Sequence, residues 1–240
     1  MISGDKNYNG VIDDLVNGSW ISPSDNKKYG IPIKNIEIRE TLDGREYDLI
    51  ESLHSNQKLL VVSDPFTHKA MGSRIFNNLK TKMNAEEYIW EQPSSSIEGV
   101  QFLRTKLKDY DGMIAVGSGT VSDSIKYATF LEDKVYSVFA TTPMNAYTTG
   151  TASISFDGIK KSLVAHYAQG VFFDLEVLSN CPKRLTAAAF ADVICRTTAQ
   201  VDWLMSHKLL NTDYKTTPYE LLALYEMDMI NNASDIAAGK

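Results

Sequence analysis

The stretch GMIAVGSGTVSDSIKYATFL, Gly112 to Leu131, decides the fold. Its first five residues, Gly112 to Val116, are a short continuous apolar run. Such a run reads as a strand buried on both faces. Gly117 follows, and helical spacing resumes from about Ser122 to Leu131. Strand, glycine turn and helix in succession form the repeating unit of a parallel sheet covered by helices.

The same unit recurs on both sides of this stretch. KLLVVS (Lys58 to Ser63) is a second buried run, closed by Asp64-Pro65 and followed by helical spacing over Thr67 to Leu79. Glu87 to Trp90 reads as a strand, Ile97 to Leu107 as an amphipathic helix, and VYSVFA (Val135 to Ala140) as another buried strand. Upstream, KNIEIRE (Lys34 to Glu40) alternates apolar and charged residues, as an edge strand does. Asp43-Gly44 turns the chain, and Tyr47 to Leu53 has helical spacing. Alternation of strand and helix predicts an α/β fold, a Rossmann-like parallel sheet with helices on both faces.

Beyond Ala140 the pattern changes. Ser153 to Phe156 and Ile159 to Val164 flank Asp157-Gly158, a dipeptide suited to a tight hairpin turn. Gly170 to Phe173 is a short apolar strand. From Arg184 the chain reads as helical: one long helix over Leu185 to His207, then another opened by Pro218 in its first turn. The first thirty residues are polar and show little period. These readings predict an α/β domain over residues 1–181 and the start of an all-helical domain over 182–240. Two helices cannot close a core of their own. The helical part is expected either to pack on the sheet domain or to belong to a longer protein.

Composition narrows the function. Apolar residues make up 43% of the 240 and charged residues 22%, the profile of a globular chain. No apolar run approaches the ~20 residues of a membrane span, and no charged, apolar leader opens the sequence. Cys181 and Cys195 form neither a CxxC pair nor a disulfide framework, so a reducing cytoplasm is expected. The 24 Lys and Arg stand against 30 Asp and Glu, a net charge of −6. That balance disfavours nucleic acid and anionic membrane as partners. A small phosphorylated ligand needs only a local basic spot.

Gly117-Ser118-Gly119-Thr120 lies where a buried strand meets a helix. Glycines there allow close backbone approach, and a helix N-terminus offers free N–H groups to an anion. Ser118, Thr120 and Ser122 add hydroxyls. The turn suits the pyrophosphate of a dinucleotide; equally, it suits a plain tight turn capped by Ser122. It is neither GxGxxG nor a P-loop. Asp64, ending the first buried strand, suits either a ribose hydroxyl or the start of a turn before proline.

Four motifs in order carry a resemblance: GSGTVSDSIK (117–126), ATTPMNAYTTGTASI (140–154), FFDLEVL (172–178) and AAFADVICRTTAQVDW (188–203). The chain resembles the sn-glycerol-1-phosphate dehydrogenases of the iron-type alcohol dehydrogenase, glycerol dehydrogenase and dehydroquinate synthase superfamily, over roughly residues 58 to 232. The resemblance implies a dinucleotide-binding domain, a helical domain, and a divalent metal (zinc, nickel or iron) between them. It implies NAD or NADP as cofactor and dihydroxyacetone phosphate, reduced to sn-glycerol 1-phosphate, as the small-molecule substrate. A homo-oligomer is compatible with it.

Carried over by position, Gly117, Ser118, Gly119 and Thr120 match the pyrophosphate loop, with Ser118 in place of its second glycine. Asp123 and Lys126 match that motif's Asp and Lys. Thr141, Thr142 and Pro143 match the stretch bordering the nicotinamide, and Thr149 matches a cofactor-contacting hydroxyl. Asp192 matches the Asp that begins the metal site, and Asp202-Trp203 matches a pair common in the glycerol-phosphate branch. Met144-Asn145-Ala146-Tyr147 departs from the family's SMDGY, so Asn145 can bond a substrate hydroxyl but carries no charge. Arg196 stands where a Lys is usual. Four residues after Asp192, it shares a helix face with it. It can pair either with a substrate phosphate or simply with Asp192.

A catalytic metal needs about three protein ligands. The family supplies Asp192 and two histidines further along. Here His54 and His68 read as surface residues of the first domain, and His166 follows the hairpin. On a single helix, His207 would lie roughly 22 Å from Asp192, too far to share an ion. At best a crippled metal site is expected, and no dehydrogenase activity from these 240 residues. Cys181, in a connector, and Cys195, among apolar helix neighbours, read as structural. Competing readings on the same fold are a plain glycerol dehydrogenase and a non-catalytic nucleotide-binding module. The stretch around Asp157-Gly158-Ile159-Lys160-Lys161-Ser162 argues against dehydroquinate synthase.

Overall fold

The computed structural model of the chain describes residues 8–223 and 225–238. The N-terminal stretch, without clear period in sequence, forms helix α1 (Tyr8–Val16) and a short antiparallel ladder of β1 (Trp20–Ile21) and β2 (Lys28–Tyr29). Then come β3 (Asn35–Arg39), α2 (Glu46–His54), β4 (Leu59–Ser63), α3 (Pro65–Thr67), a π-helical turn (His68–Gly72), α4 (Ser73–Leu79), β5 (Ala85–Ile89), α5 (Ile97–Leu107), β6 (Gly112–Gly117), α6 (Gly119–Leu131) and β7 (Val135–Ala140). A single 3-10 turn (Ala146–Thr148) precedes the strands β8 (Thr151–Phe156) and β9 (Ile159–Val164), followed by β10 (Gly170–Asp174) and α7 (Leu175–Ser179). The remainder is α8 (Lys183–Ile194), α9 (Arg196–Leu210), α10 (Thr217–Ala223), α11 (Glu226–Asn231) and α12 (Ala233–Ala238).

Residues Pro32–Asn180 form one compact unit built on a six-stranded sheet of order β3-β10-β7-β6-β4-β5, parallel throughout. Its strands read as apolar runs because helices cover both faces. Every residue of β4 and β6 is buried. Val61, Ile114, Val116, Phe139 and Phe172 face one way, against Leu49 and Ile50 of α2 and Ile75 and Leu79 of α4. The alternate residues lie under α5 and α6, whose Leu103, Leu107, Val121 and Ile125 are fully buried. KNIEIRE is indeed an edge strand, at the opposite edge from β5. The hairpin turn at Asp157 (φ 49°) and Gly158 (φ 78°) has the paired positive φ of a tight two-residue connection.

A buried ion triad ties three elements of this unit. Arg74 of α4 donates from Nε to Glu46 Oε1 at 2.7 Å and from Nη2 to Asp174 Oδ2 at 2.6 Å. Both carboxylates are inaccessible to solvent. Burial alone would raise the Asp174 pKa. The Leu42 N–H, the Arg74 guanidinium and the Val177 N–H outweigh it and hold the carboxyl below its ordinary value.

The second unit joins the described residues up to Ile31 with those from Cys181 onward. It is discontinuous in sequence, because the N-terminal residues group with the helices and not with the sheet. Glu220 of α10 accepts from Ser22 Oγ at 2.7 Å, and Thr216 Oγ1 donates to Ser24 Oγ at 2.9 Å. These contacts lie 198 and 192 residues apart in sequence, beyond the reach of any local pattern.

Three further expectations are corrected. The single helix over Leu185 to His207 is two, α8 and α9, meeting at Cys195. His54 is not a surface residue. It is buried, with Nε2 2.7 Å from Ser137 Oγ and Nδ1 2.8 Å from Gln57 Oε1, and burial lowers its pKa. Cys195 is exposed, whereas Cys181 is buried.

Replacing Arg74 with Met would leave two buried carboxylates without their cation. The expected cost is about 3–5 kcal/mol at pH 7, read by urea denaturation. Asp174 has a depressed native pKa, so its contribution is present above the unfolded value and is lost as pH falls. The gap between wild type and Arg74→Met should therefore narrow below about pH 4.

Candidate functional site

The strand order reverses between β4 and β6. From β4 the chain moves outward to β5, then crosses back through α5 to β6 on the other side of β4. The carboxyl ends of β4 and β6 therefore flank a topological switch point, where open α/β sheets bind ligands. Ser63 pairs with Val116 and Gly117 with Ala140, so Asp64, Gly117 and Thr141 emerge side by side.

Gly117 has a packing role. A Cβ there would stand 2.7 Å from Val121 Cβ and 3.1 Å from both Val121 γ-carbons. Its bare Cα lets α6 start immediately after the strand. The helix begins at Gly119, three residues earlier than the spacing suggested, and Ser118 is its N-cap with extended backbone (ψ −169°). Ser122 is not the cap. Its hydroxyl donates back to Gly119 O at 3.4 Å from inside the first turn. The Ser118 side chain makes no capping bond, so the first-turn N–H groups face the switch point unoccupied by a side chain of their own helix. Ser118, Gly119 and Thr120 are partly exposed there. Around a Cβ built on Gly119 the nearest atoms are Met144 Cε at 3.6 Å and Sδ at 3.8 Å, ordinary contact distances.

Asp64 is bound into its own helix start. Oδ1 accepts from the N–H of Phe66 (2.8 Å) and of Thr67 (2.9 Å), and Thr67 Oγ1 accepts from Asp64 N at 3.0 Å. Thr67 Oγ1 also donates to Val116 O at 2.9 Å, locking the end of β6 to the end of β4. The turn role weighed for Asp64 is thus realised at Oδ1.

The segment after β7 forms the facing wall. Thr141 and Thr142 are buried. Tyr147, which sequence reasoning passed over, is fully buried, 2.7 Å from Thr142 Oγ1, and donates to Gly117 O at 3.0 Å. One phenol thereby joins this loop to the glycine turn. Its only signal was a large aromatic among small polar residues. Asn145 is half-buried in the same loop, beside Met144. Thr149 Oγ1 donates within the loop to Ala146 O and Thr151 O. Asp123 points away from the exposed turn. Its carboxylate is buried and accepts from Ser153 N of β8 at 3.2 Å, and burial raises its pKa against the pull of Lys126.

The remaining candidates lie in the helical unit. Asp192 Oδ2 is 3.8 Å from Arg196 Nη2, with both side chains about half exposed. Trp203 donates to Asp213 O at 2.6 Å and packs on Tyr214, so it secures the turn after α9. His207 Nδ1 lies 2.7 Å from Thr212 O. Among the described residues no three His, Cys, Asp or Glu side chains stand together as a metal site. The donors among the described residues do not make up a site for zinc, nickel or iron.

A family model described as iron-containing alcohol dehydrogenase matches residues 37–182, more than half of the chain. The chain belongs to the iron-containing alcohol dehydrogenase family. A glycerol-1-phosphate dehydrogenase (NAD(P)+) of Geobacillus thermodenitrificans is 28% identical over 191 residues, covering 76% of this chain and 47% of that protein. One from Pyrococcus horikoshii is 29% identical over 196 residues, covering 80% and 56%. The chain thus spans about half the length of the curated relatives it matches. A probable glycerol dehydrogenase from Sinorhizobium meliloti superposes with a TM-score of 0.70 at 14% identity, over 85% of this chain and 58% of that one. A sulfoacetaldehyde reductase from Bifidobacterium kashiwanohense, solved with NAD+, gives 0.58 at 16% identity, over 69% and 50%. At these identities the likeness is one of fold. No helix among the described residues is long and apolar enough to cross a membrane.

Two outcomes follow from the packing. Gly117→Ala should destabilise by about 1–3 kcal/mol, because Val121 must move, whereas Gly119→Ala should leave the denaturation midpoint of the free protein nearly unchanged. Asp192→Asn should cost no more than about 0.5 kcal/mol, the worth of an exposed ion pair. Urea titrations of the three variants check both.

Proposed function

We propose that this chain is the cofactor-binding part of an NAD(P)-dependent dehydrogenase that reduces dihydroxyacetone phosphate to sn-glycerol 1-phosphate. The observation that carries the reading is the uncapped start of α6 at the switch point, with Ser118, Gly119 and Thr120 open to a ligand. A helix N-terminus presents several N–H groups and a positive dipole end, which suits the two charges of a pyrophosphate. The similarity to glycerol-1-phosphate dehydrogenases supports the substrate.

In this reading Ser118 and Thr120 add hydroxyl donors to the pyrophosphate, and Gly119 keeps the approach clear. Asp64 Oδ2 accepts from a ribose hydroxyl. A carboxylate there repels a 2′-phosphate, so NAD is the preferred cofactor. Thr141, Thr142 and Thr149 line the nicotinamide end, and Asn145 orients a substrate hydroxyl. Asp123 acts from behind, by fixing β8. Nicotinamide supplies the hydride when bound. For Arg196 we propose pairing with the substrate phosphate in exchange for Asp192. Asp192 as a metal ligand needs partners that the described residues do not provide. That shortfall favours a second reading, a nucleotide-binding module without turnover. Two free cysteines suit a reducing, cytoplasmic setting.

The test is NADH binding followed by fluorescence. Gly119→Val should weaken NADH at least tenfold while leaving the circular dichroism spectrum intact, since a branched side chain would occupy the pyrophosphate's space. Equal affinity in the two proteins would remove the reading. Turnover of dihydroxyacetone phosphate with NADH, against binding without turnover, separates the dehydrogenase from the module.

A further inference from the structure

We propose that Lys126 is a positioning residue of this site: it holds the loop after β7 in the shape that receives the nicotinamide end of the dinucleotide. The inference rests on the dinucleotide reading above. Lysine is almost never fully buried unless its charge is matched, yet Lys126 has no solvent exposure at all. Its ammonium has three N–H bonds, and three acceptors meet them. Nζ donates to Ala146 O at 2.6 Å, to Thr151 O at 2.9 Å and to Thr149 Oγ1 at 3.2 Å. Asp123 Oδ1, 3.5 Å away and one turn earlier on α6, balances the charge.

The acceptors are informative in where they lie. All three belong to residues 146–151, a stretch with a single 3-10 turn and no sheet partner before β8 begins. Carbonyls turned into a protein interior need donors; the Thr149 hydroxyl reaches Ala146 O and Thr151 O from within the loop, and Lys126 adds a charged donor from another element. Tyr147 holds the same loop from the other side through Gly117 O. The segment so fixed carries Asn145 at its start and Thr149 within it, and Met144 touches the space over Gly119.

Lys126 also couples the two halves of the ligand. It lies seven residues after Gly119, two turns or roughly 10 Å along one rigid helix. The N-terminus of α6 meets the pyrophosphate, while the same helix grips the wall for the nicotinamide. A purely structural lysine would stabilise the fold without distinguishing the two ends of the ligand. A positioning lysine matters for the nicotinamide end alone, because the pyrophosphate is bound by α6 backbone that Lys126 does not touch.

The experiment compares the affinities of NADH and ADP, by calorimetry, in wild type, Lys126→Met and Lys126→Gln. ADP carries the pyrophosphate and lacks the nicotinamide. The expected result is that NADH loses at least tenfold in Lys126→Met while ADP stays within twofold. Lys126→Gln, which keeps two donors but no charge, should fall between. An unchanged NADH-to-ADP affinity ratio in the variants overturns the proposal, as does a parallel loss of both ligands. If Lys126→Met does not fold, the ratio in Lys126→Gln decides alone by the same criterion. Wild type that binds neither ligand would sink the dinucleotide reading and this inference with it, an outcome distinct from normal wild-type binding with an unchanged ratio.

Discussion

Everything at the site depends on how closely α6 can follow β6. The strand ends at Gly117 and the helix begins at Gly119, a turn of one residue. Only a residue without Cβ fits beneath Val121 at this crossing. A longer connection would set the helix start back from the strand ends and swing its N–H groups away from the crevice between β4 and β6. The close turn puts them beside Asp64 and the loop after β7. Thr67 and Tyr147 then bind that arrangement from both sides, through Val116 O and Gly117 O.

Buried charge does a second, complementary task. Arg74 joins α2, α4 and the end of β10, and Lys126 with Asp123 joins α6 to the loop and β8. Arg74 and Lys126 are each met by several partners. Such groups add little net stability over apolar ones, but breaking one partner is costly. They fix which loop lies where, and a site made of loop residues needs that more than it needs further core.

The sheet was legible because its strands are buried on both faces and so read as unbroken apolar runs. Val135–Ala140 and Ile97–Leu107 match their sequence spans to the residue. Two of the misses have a partner far along the chain. His54 resembles a surface histidine until Ser137, 83 residues on, is placed beside it. The grouping of β1 and β2 with the helices depends on Glu220 and Thr216. At the site, the glycine turn was legible and the cap was not. Three hydroxyl residues, Ser118, Thr120 and Ser122, offer themselves within five positions, and only backbone geometry selects Ser118. Tyr147 and the grip of Lys126 needed the loop's path, which has no period to read.

Among the described residues, the edge strands β3 and β5 each have one side without a strand neighbour, a row of N–H and C=O groups able to recruit another chain. Both are studded with charge: Glu37 and Arg39 on β3, Glu86 and Glu87 on β5. An encounter between the β5 edges of two copies would bring glutamates together and strip them of water. The edges are therefore poor templates for fibrous stacking. That protection matters most while the sheet is still forming, since parallel strands pair late and stay open to misassociation for longer.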